Sequence, residues 1–301
     1  MSVAATSPRR RRRRRARPRD RLRRWAVEAG SVALCGALLI WTLVPVYNML
    51  LIALDPDEGE TEFTGTLFPD EPSLNSFRAV VSQDYWYLEH FWQQFANSFY
   101  VGLATMALTV AIASLAAFAI GRMRLTRVRV LTNTALIIYA IPSALLAIPF
   151  IRLAQRYGLS DNIWAVIAAE VMFAIPFAVL VLQQYATIIP MELDEAARID
   201  GASPWQVYLR IYLPLTAPAL AAVGTYALLL AWGEYLYQYL LLSSERNWTV
   251  AVAIEQFFDA DEAPWNYMMA LAIIYSLPPI AVFYALRRYM AAGLTMGAVK
   301  G

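Results

Sequence analysis

Six long apolar segments dominate this sequence and restrict the folds that it can adopt. Each covers roughly 20 residues or more, the length that a helix needs to cross about 30 Å of hydrocarbon. Of the 301 residues, 59% are apolar, whereas soluble domains are about 45–50% apolar. The segments therefore predict an all-α, polytopic membrane protein with six transmembrane helices. They run approximately from Val27 to Leu54, Ala96 to Ile120, Val128 to Ile151, Ile163 to Leu182, Leu215 to Leu242 and Tyr267 to Tyr289.

The charges between these segments indicate which side of the membrane each loop occupies. Lysine and arginine accumulate in cytoplasmic loops. Most of the 25 basic residues lie before the first segment, in the loops that follow the second and fourth segments, and after the sixth, whereas the alternate loops are acidic. We therefore predict that both termini are cytoplasmic. The basic residues on this side include Arg9–Arg15, Arg24, Arg122, Arg124, Arg198, Arg210, Arg287 and Arg288.

The stretch from Pro190 to Pro214 is polar, although it lies between the fourth and fifth apolar segments. Pro190 suits the first position of a helix, and acidic residues follow it, where negative charge stabilises the start of a helix. Gly201 suits the left-handed residue that ends such a helix, and a capping box that starts a second helix begins at Ser203. We therefore predict a short cytoplasmic helical hairpin that Pro214 closes.

The spacing of residues in this hairpin resembles a known signature. Glu195-Ala196-Ala197, then Gly201, then Ile211 with Leu213-Pro214, is similar to the signature loop in the membrane subunits of bacterial ABC importers. In that family the loop is a coupling helix that docks into the ATPase subunit. The alternative is an interfacial hairpin without a partner. The resemblance implies a docking surface formed by Glu195, Ala196, Ala197, Asp200, Gly201 and Ala202.

The chain from about Pro72 to Gly301 resembles the carbohydrate branch of these importers. The similar motifs are Asn97-Ser98, Ala116 to Arg124, Trp232 to Tyr235, and the tail Gly293 to Gly301. One departure is the glycine after Trp232, where asparagine is common in the family. The resemblance implies a type I ABC importer permease fold in the bacterial plasma membrane, similar to the smaller membrane subunit of maltose-type importers. It also implies three partners: a second permease subunit, a dimer of ATP-binding subunits and an extracellular substrate-binding protein.

Composition and topology divide the chain into four parts. Residues 1–25 form a basic cytoplasmic arm that we expect to be disordered. Residues 26–95 contain the first transmembrane helix and an extracellular interfacial segment, residues 96–290 form the permease domain with its hairpin at 190–214, and residues 291–301 form a cytoplasmic tail. The arginine-rich arm favours attraction to anionic membrane lipid. Nucleic-acid binding and a cleaved signal peptide are disfavoured, because the apolar segment that follows is long enough to span.

The chain lacks the residues that several kinds of catalysis require. Cys35 and His90 are its only cysteine and histidine, which excludes a disulfide, a Cys/His metal site and a serine-histidine-acid triad within the chain. No GxxxxGK[ST] phosphate-binding loop is present in the sequence. We therefore expect no cofactor and no enzymatic activity, and any ATP hydrolysis must be performed by another polypeptide.

Two acidic residues lie inside apolar segments, Glu170 in the fourth and Glu234 in the fifth. Charges within a membrane are costly and are candidates for function. Glu234 is flanked by Trp232, Tyr235 and Tyr237, and such an acid could accept hydrogen bonds from sugar hydroxyls while the rings stack on apolar sugar faces. The alternative is an acid satisfied by a neighbouring helix. For Glu170 the sequence indicates only burial with an unidentified partner.

Together these features predict the membrane subunit of an ATP-driven ABC importer for a sugar or oligosaccharide. Three alternatives remain open: a permease of the same superfamily for a non-sugar solute, a stand-alone secondary transporter, and a membrane scaffold. The secondary transporter would need ion-coupling charges of its own, for which the spans offer only Glu170 and Glu234.

Overall fold

The structure is a computed structural model that describes residues 18–56, 68, 71–122, 141–258 and 264–296. Within these ranges the regular structure is helical and contains no strand, which confirms the predicted all-α class. Short 3-10 helices cover Trp86–Leu88 and Ile254–Phe258, and a π-helical turn covers Tyr208–Tyr212. The α-helices are α1 (Pro18–Leu54), α2 (Asn75–Ser82), α3 (Phe91–Arg122), α4 (Ser143–Arg156), α5 (Ile163–Ile188), α6 (Glu192–Ile199), α7 (Pro204–Val207), α8 (Leu213–Gly233), α9 (Leu236–Leu241), α10 (Val250–Ala253) and α11 (Trp265–Met296).

Five helical segments of the described chain are long and apolar enough to cross a membrane. They correspond to the first, second, fourth, fifth and sixth apolar segments of the sequence. The third predicted segment, Val128 to Ile151, lies partly outside the described residues, and its described part includes the beginning of α4. The five segments are Arg24–Leu54, Trp86–Arg122, Ile163–Ile188, Pro204–Gly233 and Trp265–Tyr289.

The chain divides into two compact units, Met1–Leu51 and Ile52–Gly301. In the first unit, α1 begins at Pro18, inside the segment 1–25 that was expected to be disordered. Proline is favoured at the start of a helix, and the arginine and leucine residues that follow are good helix formers. The helix therefore starts before the apolar segment does. Residues 1–17 of the predicted arm and 297–301 of the predicted tail lie outside the described residues.

In the second unit, α3 packs against both α5 and α8. The small residues that recur along one side of α3 form this contact, since Gly102, Thr105, Thr109 and Ala113 are all buried. A Cβ atom added at Gly102 would lie 3.2 Å from a ring carbon of Trp232, so glycine allows the two helices to approach closely here. The small-residue face of α3 therefore packs within this chain.

The aromatic segment before α3 packs on another part of the second unit. The ring centroid of Tyr85 lies 5.0 Å from that of Tyr267, and the centroid of Tyr87 lies 5.2 Å from that of Phe257. Leu88 is fully buried beneath these rings. The segment thus forms a 3-10 turn that packs on protein.

The helix that follows Ser203 continues far beyond Pro214, which corrects the prediction that this proline closes it. The chain remains helical from Pro204 to Gly233. A π turn precedes the proline, and in it the N–H of Leu213 donates to the carbonyl of Tyr208. The ordinary pattern of hydrogen bonds between residues four apart is therefore already interrupted before Pro214. Because of this interruption, the helix tolerates a proline, which has no N–H to donate.

Candidate functional site

The turn of the hairpin is held by backbone hydrogen bonds around a left-handed glycine. Gly201 has φ +84°, a conformation that residues with a Cβ rarely adopt. Its N–H donates to the carbonyl of Arg198 at 3.1 Å, and the N–H of Ala202 donates to the carbonyl of Ala197 at 2.9 Å. This pair of bonds is a Schellman motif. The predicted role of Gly201 in ending the first helix is therefore confirmed.

The second helix of the hairpin begins with the predicted capping box. The Ser203 hydroxyl accepts from the Gln206 N–H at 3.3 Å, and the Gln206 side chain accepts from the Ser203 N–H at 2.7 Å. Both bonds satisfy N–H groups that a helix start would otherwise leave free. The two caps are adjacent in the chain, so the turn between α6 and α7 is rigid.

The hairpin presents a mixed polar and apolar surface. Glu195, Ala196, Asp200 and Gly201 are exposed, and Ala197 and Ala202 are half-buried. The structure therefore brings the six residues of the predicted docking surface together at one turn. A groove of about 390 Å³ runs beside it, lined by Ala197, Asp200, Gly201, Ala202, Gln206, Val207, Arg210 and Ile211.

Large apolar side chains adjoin the predicted docking surface. Ile199 is 86% exposed and Trp205 is 57% exposed. Leu193, on the first turn of α6, is also exposed. Exposed apolar side chains clustered beside a polar rim are typical of a protein-binding surface.

A buried ion pair, which sequence reasoning did not find, anchors the hairpin to the end of α3. An Arg122 Nη atom lies 2.7 Å from an Asp194 carboxylate oxygen, and the two side chains are 1% and 2% exposed. The same guanidinium donates to the carbonyls of Ile189, at 2.8 Å, and Pro190, at 3.2 Å. Arg122 also donates to the carbonyl of Ala186 in the last turn of α5, at 3.3 Å, and therefore clamps three successive parts of the chain: α5, the linker and α6.

This clamp also explains where α6 begins. The prediction placed Pro190 at the first helical position, whereas α6 starts at Glu192. The carbonyls of Ile189 and Pro190 accept hydrogen bonds from Arg122. The Asp194 N–H donates instead to the carbonyl of Met191 at 3.0 Å, so the helical ladder starts there.

An apolar cluster lies beside the ion pair. It consists of Phe118 of α3, Ala186 of α5, and Val207, Tyr208 and Tyr212 of the helix that leaves the hairpin. The hydroxyls of Tyr208 and Ser114 are 2.7 Å apart. The hairpin is thus attached to α3 through both apolar packing and a buried charge pair.

A cavity of about 300 Å³ lies between α4, α5, α8 and α9. It contains Glu170 and Glu234, the two acids that the sequence analysis singled out, and the two carboxyl groups interact electrostatically. Its described lining residues are Ile141, Pro142, Ser143, Glu170, Phe173, Pro176, Tyr226, Leu230, Glu234 and Tyr237. The fold thus unites two acids from different segments in one site.

Glu234 has a local structural role in addition to its place in the cavity. Its carboxylate oxygens each accept from the Tyr237 N–H at 3.0 Å, and one also accepts from the Gln238 N–H at 3.3 Å. These bonds cap the start of α9. The Tyr237 hydroxyl in turn donates to the carbonyl of Ser143 at 2.8 Å and ties α9 to the start of α4.

Of the four residues predicted for a substrate pathway, Glu234 and Tyr237 line the cavity, whereas Trp232 and Tyr235 are not among its lining residues. Trp232 stacks on Tyr275 of α11, with ring centroids 4.9 Å apart. Tyr235 stacks on Tyr239 at 5.4 Å. The three aromatic residues are close together in the sequence, but the side chains of Trp232, Tyr235 and Tyr237 lie in three different surroundings.

A second polar cluster joins the loop before α5 to the loop after α9. The Asp161 carboxylate accepts from the Ser244 hydroxyl at 2.6 Å and from the backbone N–H groups of Ser243, at 2.8 Å, and Ser244, at 3.1 Å. Partial burial raises the pKa of Asp161, but these hydrogen bonds together hold it below its ordinary value. Within the described ranges, no three His, Cys, Asp or Glu side chains are placed to hold a metal ion.

Comparison with known proteins shows which family and which relatives this chain resembles. Residues 109–296 match the family described as binding-protein-dependent transport system inner membrane component. The trehalose transport system permease protein SugB of Mycobacterium tuberculosis is 31% identical over 263 residues, which cover 87% of this chain and 93% of SugB. The inner membrane ABC transporter permease protein YcjP of Escherichia coli is 29% identical over 269 residues, which cover 89% of this chain and 95% of YcjP.

The fold also has a solved counterpart. The crystal structure of a bacterial ABC transporter involved in the import of the acidic polysaccharide alginate contains a chain that superposes with a TM-score of 0.75 at 19% identity. The superposition covers 91% of this chain and 98% of that chain, and it shows the permease fold. The chain therefore belongs to the binding-protein-dependent transport system inner membrane components, the membrane permease subunits of ABC importers.

Proposed function

We propose that this permease subunit carries a sugar or oligosaccharide across the bacterial plasma membrane in an importer driven by a separate ATPase. The relative named for trehalose transport supports the substrate class. The cavity adds a physical argument, since its carboxyl groups can accept hydrogen bonds from hydroxyls and its walls are mainly apolar.

The observation that carries the proposed coupling is the attachment of the hairpin. An ATP-binding subunit docks on the surface formed by Glu195, Ala196, Ala197, Asp200, Gly201 and Ala202. The turn beneath this surface is capped on both sides, and the buried ion pair of Arg122 and Asp194 joins it to α3. A push on the surface is therefore passed to the spans as a rigid-body movement.

Membership of this family supports the remaining partners. A second permease completes the pathway, an extracellular substrate-binding protein delivers the solute, and a dimer of ATP-binding subunits acts from the cytoplasm. Both termini and the hairpin lie on the cytoplasmic side, where the basic residues are concentrated. The arginine-rich arm contacts anionic membrane lipid. No role in nucleic-acid binding is proposed.

The proposed substrate pathway includes Glu234 and Tyr237, which line the cavity. Trp232 and Tyr235 act beside it: Trp232 holds α8 against α11 through its stacking on Tyr275, and Tyr235 precedes the first turn of α9. Movement of α8 therefore changes the shape of the cavity through these residues.

The test is uptake by the complete complex in proteoliposomes. The permease pair, the ATPase dimer and the binding protein are reconstituted with internal ATP, and uptake of radiolabelled trehalose, maltose and cellobiose is compared with that of glycine betaine and phosphate. We expect ATP-dependent uptake of a disaccharide, abolished by an ATPase variant that cannot hydrolyse ATP. Uptake of only betaine or phosphate would refute the substrate class, and uptake without the ATPase would refute ATP-driven coupling.

A further inference from the structure

Glu170 is a buried acid whose hydrogen-bonding capacity is only partly used. The residue is 0% exposed. No N–H or hydroxyl group of the part of the chain that the structure describes donates to either carboxyl oxygen, and the group with which it can share a proton is the carboxyl of Glu234. A buried acceptor without a donor destabilises a protein, and such groups persist mainly where function requires them.

The surroundings of Glu170 show what kind of donor is missing. Its electrostatic neighbour in the cavity is the carboxyl of Glu234, which is also an acceptor and already receives the backbone N–H groups of Tyr237 and Gln238. None of the described lining residues is basic. The cavity therefore offers acceptor oxygens in excess of donors.

The rest of the lining is mostly apolar. Phe173, Pro176, Tyr226 and Leu230 form walls around the two carboxyl groups, and the cavity volume of about 300 Å³ is that of a site for a small molecule. Aromatic and aliphatic walls suit the apolar faces of a ring, and carboxylates suit hydroxyl donors at its edge. A metal cation would need more oxygen ligands than these two acids provide.

From these features we infer that the cavity is a binding site for a sugar residue in transit, with Glu170 accepting hydrogen bonds from its hydroxyls. The inference rests on the proposed import of a sugar and assigns a substrate contact to this subunit. Glu170 lies on α5, which leads into the hairpin, and Glu234 follows α8, which leads out of it. Movement of the hairpin therefore moves the two walls that carry the acceptors.

Two substitutions of Glu170 separate a ligand contact from a structural role. Glu170→Met removes the carboxyl and fills a similar space with an apolar chain, so the unfolding temperature of the sugar-free complex should be unchanged or raised. Loss of the hydrogen bonds between this carboxyl and the sugar should raise the KM for uptake by about five- to tenfold. Glu170→Gln, which retains one acceptor oxygen, should raise the KM less.

Thr105→Val is the matched control. Thr105 is also fully buried, and its hydroxyl has no hydrogen-bond partner in the described structure, but it lies outside the lining of the cavity. This substitution removes an unused polar atom from the packed helices. Its unfolding temperature should be unchanged or raised, as in Glu170→Met, whereas its uptake KM should equal that of the wild type.

The measurements are thermal unfolding of the sugar-free complex and the KM for whichever of trehalose, maltose or cellobiose the wild type imports. An unchanged KM in Glu170→Met overturns the inference and leaves the proposed sugar import intact. A lowered unfolding temperature with an unchanged KM shows a structural acid. Sodium- or potassium-dependent uptake that Glu170→Met abolishes shows a cation site instead. Failure of the wild type to import any of the three sugars overturns the proposed function and the inference together.

Discussion

The ion pair between Arg122 and Asp194 is the polar contact whose loss should most weaken the base of the hairpin. The N–O distance is 2.7 Å, and the side chains are 1% and 2% exposed. Removing one partner of a buried pair costs about 3–5 kcal/mol, because the other charge stays buried without compensation. Arg122→Met also deprives the carbonyls of Ile189 and Pro190 of their donor. We therefore expect Arg122→Met to lower the free energy of unfolding by about 4–5 kcal/mol.

Substitution of the acid leaves the Arg122 guanidinium buried without its counter-charge. Asp194→Asn keeps the shape and an acceptor oxygen, and Arg122 keeps its carbonyl acceptors, so we expect a loss at the lower end of that range, about 3 kcal/mol in the free energy of unfolding. Combining Arg122→Met with Asp194→Leu removes both charges, and apolar replacement of a buried pair is often neutral. The double variant should therefore be more stable than Arg122→Met alone.

The assay is thermal unfolding of the purified permease pair, followed by tryptophan fluorescence, together with retention of the ATPase on the immobilised permease. Arg156→Met is the matched control, because Arg156 is exposed in the last turn of α4. An exposed charge there should contribute less than about 1 kcal/mol. The reasoning is refuted if Arg122→Met unfolds at the wild-type temperature, or if the two substitutions add independently in the double variant.

Three further substitutions test the turn, the cavity and the Asp161 cluster. Gly201→Val should reduce ATP-driven uptake at least tenfold with the complex still assembled, because a β-branched residue at φ +84° costs about 1–3 kcal/mol and shifts the docking surface. Glu234→Ala should lower the stability of the complex by about 0.5–2 kcal/mol through loss of the α9 cap, whereas Glu234→Gln should keep most stability and weaken sugar uptake. The Asp161 carboxyl has a folded pKa below its ordinary 3.8, so it stabilises the fold above pH 4 and this contribution is lost as the pH falls through the folded pKa. Asp161→Asn should remove that part of the acid dependence between about pH 5 and pH 2.

Each of these has its own control. Gly201→Ala should be less harmful than Gly201→Val, and equal uptake by the wild type and Gly201→Val would contradict the proposed transmission of movement through the hairpin. Loss of the assembled complex in Glu234→Gln would indicate a structural acid. For Asp161, identical thermal unfolding curves of wild type and Asp161→Asn across the acid range would show that the cluster does not contribute to acid stability.

Local chemistry made much of the hairpin predictable. The glycine cap at Gly201 and the capping box at Ser203 depend on residues within one helical turn, so their sequence pattern is sufficient to find them. The role of Pro214 was wrong because proline usually ends a helix, whereas here the preceding π turn accommodates it. The start of the first helix was misplaced because Arg122, distant in the sequence, occupies the carbonyls of Ile189 and Pro190.

The sequence by itself determined the apolar, helical character of the long segments, the expected side of each loop and the two caps at the turn of the hairpin, Gly201 and Ser203. These properties follow from hydropathy and from hydrogen bonds between near neighbours. Only the tertiary structure decided which polar groups meet. Arg122 pairs with Asp194 across 72 positions, and Glu170 shares a cavity with Glu234, because the small residues of α3 allow α5 and α8 to pack closely against it. Such pairings depend on how helices pack in space, and a pattern within one helix does not contain that information.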